Sequence, residues 1–103
     1  MNDNAPRHVA TLLNENGVRV VEFVLSAQTD GAWHHHSELV EYCYCLKGRL
    51  AVEIEGGENV ILGPGDKCEI AAGTRHRVCN ADHSDCRFLM IQGVGIYDFI
   101  QQN

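Results

Sequence analysis

Turn-forming pairs interrupt this chain at intervals on the order of ten residues, which leaves room for short strands and for little else. They are Asn16-Gly17, Asp30-Gly31, Lys47-Gly48, Gly56-Gly57, Pro64-Gly65-Asp66 and Ala72-Gly73. The segments between them carry strand chemistry. Val18 to Leu25 reads VRVVEFVL and Tyr42 to Leu46 reads YCYCL, both rich in β-branched, aromatic or sulfur side chains. Along LAVEIE, Leu50, Val52 and Ile54 alternate with smaller or charged neighbours. A strand at Arg87 to Gly93, RFLMIQG, completes the set. Short strands joined by tight turns pack as a small antiparallel β-barrel or jelly roll, so the chain reads as all-β. In the last ten residues, VGIYDFIQQN, Ile96, Phe99 and Ile100 recur at helical spacing, and a short helical segment is expected against the outside of the barrel. A length of 103 residues fits one domain: an N-terminal arm over 1–17, a barrel over 18–92 and a C-terminal tail over 93–103.

Composition narrows the partners. The formal charge of -6 comes from 14 acids against 8 bases, and the bases are scattered. Such a surface repels phosphate backbones and anionic lipid, so neither nucleic acid nor membrane is an expected partner. No apolar run approaches the roughly 20 residues of a membrane helix. The opening MNDNAPRHVA lacks the zones of a signal peptide, and a cytoplasmic location is expected. Cysteines stand at 43, 45, 68, 79 and 86, an odd number without a C-x-x-C pair, which reads as reduced thiols.

The stretch GAWHHHSELVEYCYCLKG, from Gly31 to Gly48, concentrates the chemistry. If its histidines are extended, His34 and His36 share one face and His35 takes the other. Same-face residues on a strand lie roughly 6.5 to 7 Å apart at Cα, so the two imidazoles can converge on one ion. The next ligand is Glu38 or Glu41. Parity admits Glu38 directly, and Glu41 only if the chain turns between Ser37 and Val40.

A wider pattern separates the two acids. His34-x-His36, four residues, Glu41, six residues and Gly48 resembles the first motif of the cupin family, with Gly31 just upstream. GDKCEIAAGTRHRVCN resembles the second: Gly65, five residues, Ala71, one residue, Gly73, two residues, His76, three residues, Asn80. Ala71 stands where that motif usually has proline. The resemblance spans about Val18 to Gln92 and implies a cupin barrel in which His34, His36, Glu41 and His76 hold one divalent metal. The plain alternative, in which these residues only satisfy one another, strands polar groups in a barrel interior at a cost.

Three imidazoles and a carboxylate suit Fe, Mn, Ni, Cu or Zn, and affinity does not select among them. Four protein ligands on an octahedral ion leave two positions for a small-molecule substrate, or for a substrate and dioxygen. Glu41 cancels one of the ion's two charges, so an enolate, phenolate or carboxylate oxygen is favoured. Analogy with small cupins puts an oxygenase or dioxygenase first. A non-redox cyclase, isomerase or lyase is the alternative, with Glu41 or His35 as the catalytic base. A non-catalytic binding or sensing module is a third reading. Thiol dioxygenases of the superfamily generally lack the metal-binding glutamate, which argues against that branch. EYCYCLKG resembles the matching stretch of ectoine synthases, which keeps a cyclase among the alternatives.

By parity Cys43 and Cys45 lie on the face of Glu41, and Val78 and Asn80 on the face of His76, so all four are expected to line the pocket. Tyr42 and Tyr44 point outward, with Trp33 and Phe23 as candidates to join them, and this aromatic face suggests a homodimer. Arg75 and Arg77 flank His76 with opposite parity and are expected in surface salt bridges. His8 and His83 are expected in solvent.

Overall fold

In the computed structural model, which describes residues 6–101, nine strands form two antiparallel sheets. They are β1 (Arg7–Glu15), β2 (Val18–Leu25), β3 (Thr29–Asp30), β4 (Val40–Lys47), β5 (Leu50–Ile54), β6 (Val60–Leu62), β7 (Lys67–Ile70), β8 (His76–Asn80) and β9 (Cys86–Gly93). The larger sheet runs β1-β2-β9-β4-β7 and the smaller β3-β8-β5-β6. The all-β reading holds. Residues 7–15, expected as part of an arm, form an edge strand on β2. Residues 1–5 and 102–103, the outer parts of the expected arm and tail, lie outside the described residues.

Registers across the larger sheet stack its inward side chains in layers. Phe23 pairs with Phe88, and Phe88 with Cys45; Val21 pairs with Met90, Met90 with Cys43, and Cys43 with Cys68. One further step along the strands, Arg19 pairs with Gln92, Gln92 with Glu41, and Glu41 with Ile70. The first two rows are apolar and the third is polar, so the barrel has a dry floor and a polar layer above it. The smaller sheet answers with Leu50, Leu62, Val52 and Val78, all buried against Phe88 and Leu25. Phe88 is fully buried, and burying a side chain of this size stabilises by about 1.5–3 kcal/mol.

Two glycines show why the turns are glycine. Gly31 passes so close to β8 that an added Cβ would lie 2.7 Å from the Val78 carbonyl oxygen. Gly48, between β4 and β5, has φ +85°, a left-handed conformation that side chains resist.

The expected C-terminal helix does not form among the described residues. Residues 97–100 instead cross the mouth of the barrel, where the backbone N–H of His35 donates to the Ile100 carbonyl and that of Ile100 to the His35 carbonyl, both at 3.0 Å. Pairing with a neighbouring extended segment satisfies the same backbone groups that a helix would, and it overrides the helical spacing. No helix among the described residues is long and apolar enough to cross a membrane.

A candidate metal centre

The site begins with backbone pairing. His34 N–H donates to the His76 carbonyl at 2.9 Å and His76 N–H to the His34 carbonyl at 2.8 Å, which sets the two imidazoles side by side. Strand alternation adds His36 on the same face, and β4 delivers Glu41 from the opposite sheet. One ligand atom from each of His34, His36, Glu41 and His76 falls within 4.8 Å of the others, and all four residues are buried. Glu38 is exposed and does not join them.

Hydrogen bonds orient the rings. His34 Nδ1 meets the Ala32 carbonyl at 2.9 Å, His36 Nδ1 the Asp98 carbonyl at 2.5 Å, and His76 Nδ1 the Thr74 carbonyl at 2.8 Å. A carbonyl only accepts, so Nδ1 carries the proton in each ring. All three Nε2 atoms are therefore left to face the cluster, either as lone pairs or, with a second proton, as donors of an imidazolium.

Neighbouring charge decides between these states. Burial would raise the Glu41 carboxyl, but contacts from His36, His76 and Gln92 outweigh it and hold it well below the usual carboxylate range. His76 Nε2 lies 3.0 Å from Glu41 Oε1. His36 Nε2 lies 3.2 Å from Glu41 Oε2 yet has no hydrogen-bond partner, although it is fully buried. Burial works to lower the His36 imidazole, while Glu41, with help from Asp98, raises it on balance. Burial brings the His34 imidazole down to about 4, so it is neutral near pH 7. The cluster thus offers one carboxylate, an unprotonated imidazole and an orphaned buried nitrogen. A divalent cation satisfies that set, because it accepts lone pairs from every member and removes the need for a second proton on any ring.

Gln92 and Arg19 complete the polar layer. Gln92 Nε2 donates to Glu41 Oε2 at 2.5 Å, and Arg19 donates to Gln92 Oε1 at 2.9 Å. Sequence reading did not single out either residue. The available signal was Gln92, a polar residue sharing the inward parity of Phe88 and Met90. The crossing segment caps the layer: Phe99 stacks on His34 with centroids 4.2 Å apart, Tyr97 lies 5.3 Å from His36, and Ser37 N–H donates to Asp98 Oδ1 at 2.8 Å.

A cavity of about 450 Å³ opens onto the cluster, within the range of small-molecule sites. His34, His36, Glu41 and Gln92 form its polar end, and Phe23, Val78, Phe88 and Met90 wall it. Several expected positions are corrected. Val78 lines the cavity, whereas Cys43 and Cys45 are packed in the apolar core and do not border it. Asn80 is fully buried and structural: its Nδ2 donates to the carbonyls of Leu25 and Ser84 at 3.0 and 2.9 Å. His35 is absent from the cavity wall because its backbone is paired with Ile100 and its side chain takes the opposite parity. Phe23 faces inward, 5.8 Å from Phe88, and not outward with the tyrosines. Trp33 packs against the guanidinium groups of Arg75 and Arg77, at 5.1 and 5.0 Å. These arginines pair with Glu55 and Glu53, the surface role expected of them. His8 is exposed but also borders the cavity.

A family model described as a cupin domain matches residues 21–92, the segment that carries all four clustered residues. The chain belongs to the cupin family. Several solved structures superpose closely. A conserved double-stranded β-helix protein from Klebsiella pneumoniae aligns with TM-score 0.83 and 18% identity, over all of this chain and 89% of its own. The DMSP lyase DddQ of Ruegeria pomeroyi aligns with TM-score 0.80 and 19% identity, over 92% of this chain and 51% of the lyase. KdgF from a Halomonas species aligns with TM-score 0.75 and 21% identity, over 84% of this chain and 77% of KdgF. These likenesses establish the fold. A search of curated protein sequences gives no match.

Proposed function

We propose that this cupin is a metal-dependent enzyme acting on a small enolate-, phenolate- or carboxylate-bearing substrate, with oxygenase or dioxygenase chemistry the leading reaction class. His34, His36, Glu41 and His76 would hold the ion. When bound, it supplies Lewis-acid polarisation and, if redox-active, an electron source beside dioxygen. The chain's own residues supply the rest. Gln92 fixes Glu41 by a hydrogen bond to Oε2, and the carbonyls of Ala32, Thr74 and Asp98 hold the imidazole protons on Nδ1. Phe23, Val78, Phe88 and Met90 wall the cavity with apolar surface.

The observation that supports the oxygenase reading is that, among the described residues, few free bases stand beside the cluster. Both Glu41 oxygens already have partners in His76 and Gln92, and His35 lies outside the cavity. Of the remaining wall residues, His8 is exposed and bonds Thr11 Oγ1 at 2.8 Å. Proton-transfer chemistry needs a base within hydrogen-bond reach of the substrate, whereas oxygenation at an ion needs mainly open positions and a dry wall. The second reading is non-redox cyclase, isomerase or lyase chemistry, supported by structural neighbours described as lyases. Tyr97, at the rim, is the candidate to move a proton in that case.

Elemental analysis of protein purified without added metal, followed by oxygen uptake with enol, phenol and hydroxy-acid substrates, separates the readings. Iron, copper, manganese or nickel with substrate-dependent oxygen consumption supports the oxygenase. Equal turnover under nitrogen overturns it in favour of the lyase group. Tight ligand binding without turnover points to a binding module. A cytoplasmic setting and a homodimer belong to the same proposal. The dimer face is the outer side of the larger sheet, where Leu13, Val20, Ile91 and Tyr42 align across four strands.

A further inference from the structure

Among the described residues Arg19 is the one arginine or lysine that borders the cavity, and its position in the fold gives it a direction. It is the first residue of the cross-strand row Arg19, Gln92, Glu41, so its guanidinium and the Glu41 carboxylate are joined through a single amide. One amide and two hydrogen bonds span about 8 Å at most, which sets the upper limit on the separation of the two charged groups. Three features mark the guanidinium as available. Of the N–H donors a guanidinium carries, only those on Nη1 meet an acceptor, the Gln92 side-chain oxygen, among the described residues. No described carboxylate forms an ion pair with it, although Arg7, Arg75, Arg77 and Arg87 all have such a partner. One face is stacked on Tyr97, with the guanidinium carbon 4.2 Å from the ring centroid, which holds the plane still without using a donor.

The rest of the wall sharpens what such a group would meet. The apolar part of the cavity wall is Phe23, Val78, Phe88 and Met90, none of which offers a strong hydrogen bond, and His8, Tyr97 and Gln101 also border it. Among the described residues Glu41 is the only carboxylate at the wall, and its charge is committed to the imidazoles and Gln92. A divalent ion at the four ligands together with Arg19 leaves the cavity with an excess of positive charge at two separated points. A ligand with one oxygen-donor head answers only one of them.

We propose that the substrate is a compact two-headed anion: one head chelates the ion, a short apolar body lies against Phe88 and Met90, and a second anionic group, a carboxylate by its fit to the planar guanidinium, is held by Arg19. Arg19 is then a specificity-determining residue. This inference rests on the metal-site reading above, and it adds the second charge, the spacing and the residue that recognises it.

The test uses the full chain loaded with Co(II) and two α-hydroxy acids that present the same chelating head, 2-hydroxysuccinate and 2-hydroxybutanoate. They differ in a distal carboxylate against a methyl group. Dissociation constants are read from changes in the visible Co(II) absorption, so turnover is not required. The wild-type protein is expected to bind 2-hydroxysuccinate more tightly by roughly tenfold or more, the usual worth of a charge-assisted pair in a partly dry site. In Arg19→Gln that preference collapses to about parity through loss of 2-hydroxysuccinate affinity, and Arg19→Lys, which keeps the charge but not the planar fork, recovers part of it. Equal binding of the two acids by the wild type overturns the inference. So does a preference that survives in Arg19→Gln, or an equal weakening of both acids, which marks Arg19 as a structural prop for Tyr97. If neither acid alters the spectrum of bound Co(II), the open-coordination reading falls and takes this inference with it. If Co(II) does not bind at all, the metal-site reading itself has failed.

Discussion

Replacing Gln92 with leucine removes an amide of similar size and tests how the carboxylate ligand is held. Gln92 Nε2 donates at 2.5 Å to Glu41 Oε2, and Glu41 is only 2% exposed, so water cannot take over the bond without rearrangement. A hydrogen bond to a charged group contributes about 1.5–3 kcal/mol, and this one needs no discount for solvent screening. For a domain near 100 residues each kcal/mol moves the midpoint by about 4–8 °C, so the metal-free variant is expected to melt roughly 6–24 °C lower. Loss of a partner to a metal ligand also weakens metal binding by about 10–100-fold. Thermal melts in the presence of a chelator give the first quantity, and competition with a chromophoric chelator gives the second. A Gln92→Leu protein with unchanged melting and unchanged Co(II) affinity would refute the idea that Gln92 positions Glu41.

Other consequences follow from the same geometry. Asn80→Ala strips donors from the carbonyls of Leu25 and Ser84 and an acceptor from Asp82 N–H, all close to the β8–β9 turn. It is expected to cost about 2–4 kcal/mol in urea unfolding while leaving metal stoichiometry unchanged. Burial pushes the thiols of Cys79 and Cys86 up to about 12 and raises those of Cys43, Cys45 and Cys68 above their ordinary value. A disulfide reagent at pH 8 is therefore expected to label the native protein slowly and all five cysteines once it is denatured. Phe99→Ala removes the ring stacked on His34 and is expected to speed metal loss to a chelator severalfold with little change in the fold, as followed by stopped-flow absorbance.

The cluster of His34, His36, Glu41 and His76 was legible because two independent regularities coincide. Alternation placed His34 and His36 on one face, and the resemblance of the two motifs to those of cupins brought in Glu41 and His76 from distant positions. Alternation also puts Cys43, Cys45 and Val78 on inward faces, yet parity does not say which strand of a row borders the cavity. Cys43 and Cys45 share rows with Met90 and Phe88, which border the cavity, but lie one strand further across the sheet and are packed in the apolar core. Arg19 and Gln92 needed more than parity, since their roles come from the register of β2, β9 and β4, a tertiary quantity. Phe23 was placed outward because VRVVEFVL is apolar at nearly every position and so does not declare its inner face. The C-terminal segment departs from its expected helix for a different reason. Its apolar spacing suits a helix, but the free backbone groups of His35 offered Ile100 a strand-like partner, and the aromatic side chains then closed over the imidazoles.

The central claim is that four buried side chains form one metal site, and metal stoichiometry tests it most directly. Protein stripped with a chelator and titrated with Co(II) is expected to take up one ion per chain at a high-affinity site, with a concurrent rise in melting temperature. His76→Ala, which removes one imidazole, is expected to lose that site while keeping the strands of both sheets by circular dichroism. Stripped wild-type protein that binds no Co(II), Zn(II) or Fe(II) and melts at the same temperature with and without them would contradict the account.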